Sequence, residues 1–129
     1  MRPEDIERIA PGLARLMPEV GVRTWKAYYA AQAGNWPLAR FQAKEVRKLL
    51  ELCGFTRPKY DADLKQYIER FWKPVEEAIA AEDFAAFQAW FTKSVNSANA
   101  YHRKYDKPFI VWKLPDTPPP DLDLTPQKR

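Results

Sequence analysis

The chain holds one histidine, His102, and one cysteine, Cys53, in 129 residues. That pair decides most of the chemistry open to it. One imidazole and one thiol cannot build a zinc site of Cys and His, a disulfide framework, or a Cys–His nucleophile with a second histidine. Di-iron bundle chemistry needs Glu-x-x-His on two helices, and the residue three before His102 is Asn99. The four glycines are isolated, so no glycine-rich phosphate loop is present. Ser94 and Ser97 precede His102 with nothing to mark either as a nucleophile. Cys53 ends a basic helix just before Gly54 and reads as a small apolar residue, because a reactive thiolate prefers a helix N-terminus. Glu45 falls among Phe41 and Leu49 and reads as a boundary acid or an interior one that contacts a ligand.

His102 itself closes an apolar series, Phe84, Phe87, Phe91, Val95, Ala98, His102 and Tyr105, at helical spacing. Its ring therefore points inward. A neutral imidazole in that position can act as an axial ligand to haem iron. The plainer alternative is a half-buried side chain at a helix end, where the cationic form favours the dipole. The residues alone leave both open.

The elements that must position this series are helical. A first helix is expected from Pro18 to Ala33, after a short turn around Glu4–Ala10, with Pro18 in its first turn and Gly34 ending it. Asn35 caps the second, opened by Trp36-Pro37 and stopped by Gly54. The third begins near Asp61 and carries Tyr67, Ile68, Phe71, Val75 and Ile79, with a kink expected at Pro74. Asp83 caps the fourth. The fold class expected is all-α, an antiparallel four-helix bundle. After Asp106 the pattern changes: Pro108–Pro115 (PFIVWKLP) reads as an extended apolar strap, with Phe109, Ile110, Val111 and Trp112 packed on the helices or on a second copy. The expected division is residues 1–115 as bundle and strap, and 116–129 as a flexible Pro- and Asp-rich tail.

Charge is unevenly placed. Residues 40–59 hold six basic side chains and two acids, whereas 61–83 hold seven acids against three bases. Opposite neighbouring segments suit helices lying side by side. The basic stretch reads as a solvated face or as a patch for an acidic partner, and it lacks the density expected for nucleic acid. With 46% hydrophobic and 29% charged residues the chain is globular rather than disordered. No apolar run approaches the ~20 residues that span a bilayer, and the opening MRPEDIERIA lacks a signal peptide's apolar core. No membrane and no nucleic acid are expected as partners, and the expected location is cytoplasmic.

Three stretches, Lys26–Phe41, Phe71–His102 and Lys107–Pro120, resemble small proteobacterial c-type cytochrome-like proteins with a cytochrome c′-like four-helix bundle. In that family the segment before the strap reads C-x-x-C-H, two thioether cysteines and an iron-binding histidine. Here the same positions are Ala98, Asn99, Ala100, Tyr101 and His102. The imidazole position is kept and both thioether positions are lost. Relatives often carry Arg-His before the lysine that matches Lys26; this chain has Arg23 and Thr24, then Trp25. The resemblance thus implies a protein without covalent haem, and a homodimer or a larger protein partner.

A lost macrocycle leaves a void that side chains must fill or a ligand must occupy. Trp25, Tyr28, Tyr29, Trp72, Trp90 and Tyr101 are bulky enough to fill it. Were the void only partly filled, Tyr28, Trp90, Tyr101 and His102 would line a pocket for a small flat or aromatic molecule. Two readings follow from the resemblance: a haem-free, non-catalytic small-ligand-binding or accessory protein, or a non-covalent haem protein with His102 as the metal ligand, for gas sensing, haem carriage or weak peroxidase activity.

Overall fold

In a computed structural model that describes residues 2–128, all regular structure is helical, with no strand among the described residues. The elements are α1 (Pro3–Ile9), α2 (Leu13–Gln32), α3 (Trp36–Thr56), a 3-10 turn (Pro58–Tyr60), α4 (Asp61–Tyr67), a π-helical turn (Ile68–Trp72), α5 (Lys73–Ala80) and α6 (Phe84–Lys104). None of these helices is long and apolar enough to cross a membrane.

Three boundaries differ from the sequence expectation, each for a local reason. α2 starts at Leu13, so Pro18 lies inside it rather than in its first turn. The missing Pro18 N–H orphans only the carbonyl of Ala14, and both residues are exposed, so that carbonyl lies at a solvent-facing position. α3 runs through Gly54 to Thr56. Gly54 is needed there for closeness rather than for a left-handed turn: a Cβ on it would collide with the Asp61 carboxylate. The third difference is at Pro74, where a π turn stands in place of the expected kink. Lys73 N–H bonds the carbonyl of Ile68, five residues back. The wider turn makes room for the Pro74 ring, which in a regular helix would press on the carbonyl of Arg70. It also delivers Trp72 to the core, 1% exposed, with its indole Nε1 donating to the Ala43 carbonyl of α3 at 3.0 Å.

The expected caps on α3 and α6 form. Asn35 accepts from Leu38 N–H at 3.2 Å and Asp83 from Ala86 N–H at 3.0 Å. Residues 33–35 join α2 to α3 and residues 81–83 join α5 to α6, each through a left-handed residue, Gly34 (φ 76°) and Glu82 (φ 54°). α2 packs along α3, α5 along α6, and α3 against both α4 and α5. The core joins Tyr28 and Tyr29 of α2, Val46 and Leu50 of α3, Val75 and Ile79 of α5, and Phe87 and Phe91 of α6.

The C-terminal segment follows α2. Trp112 lies against Gly21, where a Cβ would stand 2.7 Å from its indole nitrogen, and makes an edge contact with Phe91 of α6. Tyr29 hydroxyl donates to the Pro115 carbonyl at 2.7 Å and Trp25 Nε1 to the Thr117 carbonyl at 2.8 Å. Lys26 pairs with Asp121 at 2.7 Å, and Asn35 donates to the Leu124 carbonyl at 3.3 Å. These bonds run straight through the boundary expected at 115/116. Of these four apolar residues only Trp112 packs on the helices; Phe109, Ile110 and Val111 are 78%, 43% and 67% exposed in the single chain. An extended chain alternates its side chains, and the polar backbone contacts described next fix which of them face the helices.

Candidate functional site

Residues 98–102 occupy the C-terminal half of α6, and two of them, Asn99 and His102, hold backbone. Asn99, 9% exposed, donates through Nδ2 to the Trp112 carbonyl at 3.1 Å and accepts through Oδ1 from Trp112 N–H at 2.8 Å. One amide thereby satisfies both polar groups of one residue, as a neighbouring strand would. One turn later His102 Nδ1 lies 2.8 Å from the Ile110 carbonyl. A carbonyl only accepts, so Nδ1 carries the hydrogen and Nε2 is left as the acceptor of the neutral ring.

The four residues expected to line one pocket each have different partners. Tyr101 turns towards α4, sharing a hydrogen bond of 3.0 Å with the Gln66 side-chain amide and meeting Tyr67 edge-on. His102, one position on, turns towards the C-terminal segment. Tyr28 sits among Phe84, Phe87 and Phe91, its hydroxyl accepting from Gln88 at 3.0 Å. At a rise of about 1.5 Å per residue, Tyr101 stands about 15 Å along the axis beyond Phe91, so Tyr28 does not share a pocket with it. Trp90 is half-buried, with Lys93 Nζ 4.3 Å from its ring centroid.

The polar end of α6 also binds α4. Asp63 accepts from Lys104 at 2.7 Å and from the Tyr105 hydroxyl in a very short contact. The Lys104 hydrogen bond, then that of Tyr105, holds the Asp63 carboxyl below the ordinary aspartate value, and the same contact raises the Tyr105 phenol. Burial pushes Tyr67 up to about 12, although its hydroxyl donates to the Ser94 carbonyl at 3.1 Å. Cys53 is fully buried and burial pushes its thiol up to about 11, so at neutral pH it is a thiol rather than a nucleophilic thiolate.

As a haem site this arrangement does not fit. The face of α6 before His102 is taken by Asn99, Trp112 and Phe91 packed on one another. The cavity beside Trp112, lined by Met17, Gly21, Val22 and Trp25, measures about 180 Å³, on the order of a single aromatic ring's cavity rather than a macrocycle's.

The sequence reading missed the role of Asn99, the seat of Trp112 at Gly21, and the Asp63–Tyr105 contact. An amide four residues after Val95 on an apolar stripe was the available signal for Asn99. The other two depend on partners far away in sequence and left none. No family model, no curated protein and no solved structure matches the chain.

Proposed function

We propose that the chain works by binding rather than by catalysis: a haem-free relative of c-type cytochromes serving as a small-ligand-binding or accessory protein. In this reading the long helical segments form an antiparallel four-helix bundle and the C-terminal segment is its strap. The observation that carries it is the use made of the motif positions. His102, the one position that would serve a cofactor, holds the Ile110 carbonyl of the C-terminal segment, and Asn99 beside it holds both backbone groups of Trp112, so the kept position serves the fold. The interior agrees with that reading. Every buried side-chain nitrogen or oxygen among the described residues has a partner, leaving no orphaned polar group inside to receive a substrate.

Intact-mass measurement combined with haem titration tests it. The expected mass is that of the polypeptide alone, and added haem should give no absorption band near about 400 nm that depends on His102. A band that appears in the wild type and vanishes in His102→Ala would replace this reading with non-covalent haem binding through Nε2. A thermal-shift screen of flat aromatic molecules addresses ligand binding directly. Saturation at about a hundred times the dissociation constant would add about 2.7 kcal/mol.

A further inference from the structure

Five basic side chains line a single cavity of about 550 Å³ between residues 8–15, residues 57–60 and Lys107. Arg8 comes from α1, Arg15 from the first turn of α2, Arg57 and Lys59 from the end of α3 and its 3-10 turn, and Lys107 from just after α6. Tyr60 supplies an aromatic wall, fixed by an edge contact with Tyr105 at 4.8 Å. The remaining lining residues are apolar, and no carboxylate is among them. Asp61 and Asp63, which follow Tyr60 in the chain, are paired with Lys65 at 2.8 Å and Lys104 at 2.7 Å. Among the described residues none of the five cations forms an ion pair.

Arg57 shows how the cleft is held. Its guanidinium donates to the carbonyls of Thr56 at 2.8 Å and Ala10 at 3.0 Å, tying α1 to α3. Gly12 keeps the approach clear, since a Cβ there would stand 3.0 Å from Nε. Carbonyls orient a guanidinium without cancelling its charge. The fold therefore gathers cations from four stretches of sequence around one concavity, with no counter-ion paired to them among the described residues. Mutual repulsion of this kind is relieved by a bound anion.

The geometry points to this cleft as a binding site for a small molecule carrying two or more linked phosphate groups. One carboxylate would answer only one or two of the five cations. Arginine forks match phosphate oxygens in pairs, and the volume lies in the range of small-ligand sites. A compact ligand fits better than a polymer, because the segment that follows the cleft, residues 61–83, carries a net charge of −4. The cleft contains none of Tyr28, Trp90, Tyr101 and His102, so this site stands or falls independently of the preceding proposal.

Calorimetric titration of the full chain with inorganic pyrophosphate, repeated with ADP and with adenosine, provides the test. Expected is one-to-one binding of pyrophosphate that weakens as salt rises. Arg15→Ala with Lys59→Ala should weaken it by about tenfold or more, while the charge-matched pair Lys44→Ala with Lys113→Ala leaves it within about twofold. Binding of ADP but not adenosine would support the site and assign the phosphates to a nucleotide; pyrophosphate alone would support it with free polyphosphate as the ligand. The proposal fails if neither pyrophosphate nor ADP binds, if both variants weaken binding equally, or if only single-stranded nucleic acid binds. A circular dichroism spectrum of each variant confirms that it is folded.

Discussion

The two halves of α6 are built on different physics. Its N-terminal half buries Phe87 and Phe91, 0% and 3% exposed, in an aromatic cluster with Tyr28 and Phe84. Its C-terminal half uses Asn99, His102, Lys104 and Tyr105 as hydrogen-bond arms to the C-terminal segment and to α4. Apolar burial is non-directional and fixes that a helix packs. Polar arms are directional and fix what packs where. The first half should therefore govern global stability, and the second the docking of one segment and its response to pH.

Phe91→Ala gives the largest expected effect, about 3–5 kcal/mol of unfolding free energy from lost transfer and a residual cavity. Chemical denaturation measures it, and the loss should be the same at every pH. Trp112→Ala comes next, at about 2–3 kcal/mol, because the indole is only half-buried. Limited proteolysis should then cut in residues 105–120 before the helices open. Removing residues 107–129 should cost as much or more through lost apolar burial. A truncated chain with an unchanged melting temperature would show that the segment merely rests on the helices.

Asn99→Leu separates the two halves most cleanly. It keeps the volume of the side chain and leaves both backbone groups of Trp112 unpaired, at about 1–3 kcal/mol. Native-state hydrogen exchange should speed up at Trp112 and leave Phe91 protected. His102→Ala should cost less, about 1 kcal/mol, since its bond to Ile110 lies near the surface.

The same contrast explains what could be read in the sequence. The period of Phe84, Phe87 and Phe91 and the caps at Asn35 and Asp83 announce helices because each signal lies within a few residues of what it controls. The inward turn of Phe87 follows from that period as well. The partners of the polar half were not legible. Asn99 meets Trp112 across the turn at residues 105–107, Tyr105 meets Asp63 some forty residues back, and the five cations of the cleft are scattered from Arg8 to Lys107. Nothing local tells Tyr101 to face Gln66 rather than a pocket shared with His102. The π turn was hidden for another reason: Pro74 signals a disturbance, and only packing decides that the helix widens to seat Trp72.

Asp63 gives the smallest effect and the most specific signature. Its carboxyl sits below the ordinary aspartate value in the folded chain because Lys104 and Tyr105 hydrogen-bond to its charged form. A lowered folded value means that the contact stabilises the fold above the unfolded value of 3.8, and that this contribution disappears as pH falls through the folded value. Tyr105 works at the other end of the scale. Its phenol is raised above 10.0, chiefly by the same bond, so its contribution is complete below that value and is lost as pH climbs beyond it. Asp63→Asn should flatten both limbs of the stability–pH curve and weaken the tie between α4 and the end of α6. Phe91→Ala should lower the whole curve without changing its shape. If Asp63→Asn leaves both limbs as steep as in the wild type, the polar half of α6 owes its pH response to other groups, and the division of the helix into a packing half and a docking half loses its electrostatic side.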